Sequence, residues 1–108
     1  MSYFISMRTA FAEEILTIEN NNVGNIIFVE QESADCSLSD GKLILIQNID
    51  ATQTYQVWID RWFMNVQTPD HTKQILPPRT EPSPLGCSIA RSGGEQHWTI
   101  YSVDAIAR

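Results

Sequence analysis

Two cysteines, two histidines and a scatter of carboxylates are the groups in this chain with the chemistry for catalysis. A thiolate–imidazole pair could be drawn from them, with Cys87 as nucleophile and His97 as base. Asp35, Asp60, Asp70 and Asp104 are available to orient an imidazole or to exchange protons. The spacing argues against these uses. Counted from the Ser92–Glu95 connection, Cys87 and His97 do not stand opposite one another, and Ile89 and Ala90 follow Cys87, the setting of a small buried residue. His71 and His97 belong to no C-x₂₋₄-C or H-x₃₋₅-H pair of the kind that holds structural zinc. The patterns G-x-S-x-G, H-E-x-x-H and the phosphate-binding P-loop are absent. The reading is therefore a non-enzyme, with no catalytic residue, no metal ligand and no cofactor expected. A small cysteine- or metal-dependent enzyme using Cys87, His97 or His71 ranks last.

A different kind of signal sits in Thr54–Val66, T-Y-Q-V-W-I-D-R-W-F-M-N-V, which reads as one long strand. Side chains of a strand alternate between faces. Tyr55, Val57, Ile59 and Phe63 fall on one face, and Trp58, Trp62 and Met64 on the other. A strand with one wet face should not be apolar on both, so a second covered surface, and hence a partner, is expected. Asp60 and Arg61 are neighbours and point to opposite faces. An arginine among aromatic rings is a composition common at binding hot spots, although a charged side chain lying along the sheet rim looks the same in sequence. Trp58 and Trp62 share a face at ~13 Å along the strand. That spacing also suits stacking on sugar rings, with Trp98 as a third platform. Packing between two sheets is the commonest fate of such residues.

These residues must be positioned by strands. Alternating or apolar runs cover Glu14–Asn20, Asn25–Gln31, Lys42–Gln47, Thr54–Val66, Leu85–Arg91 and Gln96–Val103, with a short edge strand at Thr72–Leu76. Turn signals separate them: Asn20-Asn21-Asn22 closed by Gly24, Ser39-Asp40-Gly41, Asn48–Gln53, and Ser92-Gly93-Gly94-Glu95. Thr68-Pro69-Asp70-His71 reads as a break, because proline cannot donate to a central ladder. Pro77, Pro78, Pro82 and Pro84 make a rigid extended loop. Gly86 is expected to allow an unusual backbone or a close approach beside Cys87. About seven short strands at regular spacing predict an all-β fold, an antiparallel β-sandwich of immunoglobulin or fibronectin-like architecture. The immunoglobulin hallmarks themselves are missing: Trp58 lies too far beyond Cys36, and Leu85 rather than a tyrosine stands two residues before Cys87. The expected organisation is an N-terminal arm, residues 1–12, and a single sandwich domain, residues 13–108.

The bulk numbers limit the partners. The chain has 108 residues, 43% of them hydrophobic, and a net charge of −6. Its only lysines are Lys42 and Lys73, and its arginines are scattered, so a nucleic-acid partner is not expected. No run approaches a membrane span, and the N-terminus lacks the charged and apolar regions of a signal peptide. The expected location is cytoplasmic, with secretion without a classical signal peptide as the alternative. Cys36 and Cys87 would be free thiols in the first case and one disulfide between sheets in the second.

Ile26 and Phe28 oppose Ile27 and Val29, and Leu43 and Leu45 oppose Ile44 and Ile46, so the apolar excess is not confined to one strand. If these strands and the aromatic one are neighbours, their outer faces merge into one apolar patch. The resulting expectation is a non-catalytic protein–protein interaction module, an accessory subunit or an inhibitor- or immunity-type binder. It would bind a protein partner or itself through Val57, Trp58, Arg61, Trp62 and Phe63. The alternative is a carbohydrate-binding module using Trp58, Trp62 and Trp98.

Overall fold

The computed structural model describes residues 15–106; the expected 1–12 arm lies outside them. The elements are β1 (Ile15–Val23), β2 (Ile26–Gln31), a helical turn α1 (Ala34–Ser37), β3 (Leu43–Asn48), β4 (Thr54–Phe63), β5 (Val66–Leu76), β6 (Ser83–Cys87) and β7 (Gln96–Ile106). They form two antiparallel sheets, β1-β2-β3-β6 and β5-β4-β7, which is the expected seven-stranded sandwich. The connectivity is not that of an immunoglobulin domain, whose third, sixth and seventh strands share a sheet. Here β1, β2 and β3 run as a meander, β4 and β5 form a hairpin in the second sheet, and β6 returns to the first.

The core lies between the sheets. Ile26, Phe28, Ile44 and Ile46 face Val57, Ile59, Leu76 and Trp98, with Tyr55, Leu85, Ile100 and Val103 packed around them. Trp98 is thus a core residue, and the three-tryptophan sugar platform loses one member. Asn48 is buried in this layer and joins the sheets, its Nδ2 donating to the carbonyls of Gln53 at 2.8 Å and Leu76 at 2.9 Å.

Several expected boundaries shift, each for a local reason. The aromatic strand ends at Phe63, because Met64 and Asn65 both take positive φ (53° and 66°) and form a two-residue hairpin turn into β5. Met64 and Val66 therefore leave the strand. Thr68–His71 does not break the chain but lies within β5. Pro69 is tolerated there because β5 is an edge strand and its pairing with β4 shifts register between Asp60 and Trp62. The Asn20–Asn22 cluster is an irregularity within β1 rather than the hairpin turn, with Asn21 at φ 71° and the Asn22 side chain accepting from the Phe28 N–H at 2.9 Å. Gly24 and Asn25 make the turn. Pro84 lies inside β6, the other edge of the first sheet, and the chain past Cys87 leaves that sheet to bridge at Ile89 to Glu95.

Cys36 and Cys87 form a disulfide, not free thiols. It does not join the sheets; it ties α1 to the end of β6 beside the first sheet. Gly86 sits next to it, where a Cβ would lie 3.1 Å from the Trp98 ring, so the close approach expected there is a contact with the core.

Candidate functional site: the outer face of the second sheet

Alternation along β4 places Val57 and Ile59 inward and Trp58, Asp60 and Trp62 outward. Val57 and Ile59 are 0% and 1% exposed. On β5, His71 pairs with Asp60 and Lys73 with Trp58, so both also face outward. On β7, His97, Thr99, Ser102 and Asp104 pair with Trp62, Asp60, Trp58 and Gln56. The register between β4 and β7 shifts between Trp58 and Ile59, leaving Tyr101 as the extra residue. That bulge has two effects. Val103 turns inward against the core instead of sharing a face with Thr99, and Tyr101 is carried outward at 68% exposure.

The outward side chains form one connected row. The imidazole of His71 stacks on Trp58, centroids 4.7 Å apart and planes 14° from parallel, and meets the Tyr101 ring edge-on at 5.0 Å. Its Nδ1 lies 2.6 Å from Oδ1 of Asp60, a carboxylate held almost wholly buried at the sheet surface. Nδ1–H donation to Asp60 leaves Nε2 directed away from this pair. Lys73 Nζ stands 6.0 Å from the Trp58 ring centre. Farther along, His97 stacks on Trp62 at 5.7 Å and 7°, and the Trp62 indole N–H donates to Thr99 Oγ1 at 2.9 Å. The chain has only two histidines, and each covers one face of a tryptophan. The rings are locked by neighbours, and the polar atom of Trp62 is already satisfied.

The five residues expected to make contact are divided by this geometry. Trp58 and Trp62 lie on the outer row. Val57 is fully buried in the core and offers nothing to a partner. Arg61 pairs across β4 with Trp98 and sits at the open end of the sandwich, where Nε donates to Asp70 at 2.6 Å and a terminal nitrogen to Gln96 Oε1 at 2.8 Å. Phe63 lies at the same end, its ring against Gly94 so closely that a Cβ there would collide with it. Arg61 and Phe63 line a separate open groove of about 480 Å³ with Val66, Gln67, Pro69 and Ala90.

His71, His97, Lys73, Thr99 and Tyr101 were not singled out as contact residues by sequence reasoning. His71 was hidden by reading Thr68–His71 as a break. Extending the period of two back from Thr72 through His71 would have placed it beside Asp60. Tyr101 depends on a bulge, for which no turn residue gives a signal.

Cys87, the one nucleophile considered for a thiol enzyme, is held in the disulfide and is no thiolate. Among the described residues no group of three or more His, Cys, Asp or Glu side chains is arranged to hold a metal ion. No helix among them is long and apolar enough to cross a membrane. What the fold and site define is an all-β sandwich with a preassembled aromatic and polar face on its three-stranded sheet. No protein-family model, curated protein or solved structure matches the chain.

Proposed function

We propose that this chain is a non-catalytic protein–protein interaction module, an accessory subunit or an inhibitor-type binder, that docks through the outer face of β5-β4-β7. The observation that carries the reading is the row Trp58, His71, Tyr101, Trp62 and His97, exposed or half-buried and held rigid by stacking and by the Asp60 and Thr99 hydrogen bonds. Rigid aromatic side chains lose little entropy on docking, and tryptophan, tyrosine and histidine-rich surfaces supply large contact area with few charges to desolvate. The same stacking weighs against sugar binding. A pyranose needs a free indole face, and each of these indoles already has an imidazole on one side. A disulfide as the resting state of Cys36 and Cys87 supports an oxidising compartment, the alternative to the cytoplasm.

The test is site-specific photocrosslinking. A photoreactive phenylalanine analogue replaces Tyr101 on the row, and in a control replaces Leu38, which is 79% exposed and lies outside both sheets. A discrete protein adduct, with another chain or a second copy, is expected from position 101 and not from 38. Equal labelling at both positions, or none at 101, overturns the reading.

A further inference from the structure

We infer that the occupant of this face is a second copy of the same chain, packed face to face about a two-fold axis running along β4. The inference rests on the docking reading above and adds the partner and the geometry. It is carried by where the charges lie. Among the described residues, and apart from the internally paired Asp60 and His71, the outer face bears one cation, Lys73, on edge strand β5, and one anion, Asp104, on edge strand β7. Both are exposed, and neither has a salt-bridge partner among the described residues. Lys73 stands in the row of Trp58 and Ser102, and Asp104 one row farther in the row of Gln56 and Ile75.

Of the two-fold axes that lie in the plane of this face, two keep the strands of the copies aligned. With the axis across the strands, β5 lies over β5 and β7 over β7. Lys73 and Asp104 then stay on opposite edges and never pair, and wherever the axis crosses near their rows like charges meet. With the axis along β4, β5 of one protomer lies over β7 of the other. Lys73 then falls within about one row, ~7 Å along the strand, of the partner's Asp104, a gap a lysine side chain spans. The pairing occurs twice. The centre of the contact is then Trp58 and Trp62 on themselves, with Tyr101 and Ile75 at the sides, an aromatic core within a charged rim. Of the two aligned arrangements, only this one sets the charges of the face against their opposites.

The size of the face sets the strength. Three strands at ~4.8 Å spacing and ten residues at ~3.3 Å give roughly 480 Å² a side. Both sides together bury roughly 900–1,000 Å², the lower limit for a specific interface. The dimer is therefore weak and concentration-dependent, with a dissociation constant in the micromolar range or above.

Charge reversal tests it, using exposed residues whose replacement leaves the fold intact. Sedimentation equilibrium of the disulfide-bonded chain from about 10 μM to 1 mM, at about 0.15 M salt to screen the repulsion between two chains of net charge −6, is expected to show reversible dimers. Lys73→Glu and Asp104→Lys should each weaken dimerisation about tenfold, since each turns two attractions into repulsions. The double variant Lys73→Glu/Asp104→Lys should return to within about threefold of the parent. A parent that stays monomeric at 1 mM overturns the second-copy inference, while a crosslink from position 101 to a different chain would leave the docking reading standing. A dimer insensitive to both reversals, or a double variant no better than the singles, overturns the axis.

Discussion

The two sheets use apolar residues differently. In β1-β2-β3-β6 both faces of the central pair are dry: Ile26, Phe28, Ile44 and Ile46 fill the core, while Val29 and Leu45, paired on the opposite face, are also buried. In β5-β4-β7 the inward face is aliphatic, and the outward face, Ile75 apart, is aromatic, polar and open. A run of branched aliphatic residues thus signals a strand buried on both sides. A run that interleaves tryptophan with Asp60, and pairs with histidine on both neighbouring strands, signals one buried side and one open side. This difference also prevents the single apolar patch expected from sequence. β2 and β3 lie in one sheet and β4 in the other, so their outer faces point in opposite directions.

The largest effect belongs to the link beside the first sheet. Cys36 and Cys87 stand 51 positions apart, and the segment between them holds β3, β4 and β5. Replacing both with alanine should lower stability by about 4 kcal/mol through the freer unfolded chain. The urea midpoint of the variant, and of the parent under reductant, measures it. An unchanged midpoint would mean that the bond only pins α1 and that the dry sheet holds itself together.

Next comes the contrast within β4. Ile59→Ala opens a void in the core and should cost about 3 kcal/mol. Trp62→Ala, on the outer face, removes a half-buried ring, a stack and one hydrogen bond, and should cost about 1 kcal/mol while abolishing the position-101 crosslink. Chemical denaturation of the two variants decides the comparison. If Trp62→Ala costs as much as Ile59→Ala, the outer row is a second core and not a docking face.

How far the sequence carried this reading follows from which interactions are local. Alternation and turn chemistry located the strands and the sandwich and put Val57 and Trp58 on opposite faces, but not which of the two faces the core, because only the alternation depends on neighbours in the chain. Sheet membership depends on which strands meet after long excursions, which is why β4 could not be separated from β2 and β3. Of the five expected contact residues, parity put Trp58 and Trp62 on one face, which is the outer one, while Val57 lies in the core. Bulges defeated parity elsewhere, as at Tyr101, where one unpaired residue reverses the side on which Val103 points. The disulfide was legible as a possibility but not as a fact, since a spacing of two cysteines carries no geometry.

The smallest effect sharpens the comparison at the seam between the sheets. Asp50 lies in the β3–β4 crossover. Its Oδ1 accepts from the N–H groups of Thr52 at 2.9 Å and Gln53 at 3.1 Å, and Oδ2 from the Tyr55 hydroxyl and the Asn25 side chain at 3.0 Å each. The backbone donors, Thr52 first, and the Tyr55 hydroxyl hold its carboxyl below the ordinary 3.8. A carboxylate with a lowered folded pKa stabilises the protein above the unfolded value and loses that contribution as pH falls through the folded one. Asp50→Ala should therefore melt below the parent at neutral pH, with the gap narrowing once pH drops under 3.8. Melting curves from pH 7 to pH 2.5 follow that gap. A constant difference across the range would show that Asp50 serves by shape alone, and that the crossover is held by Asn48, whose bonds to Gln53 and Leu76 carry no charge to titrate.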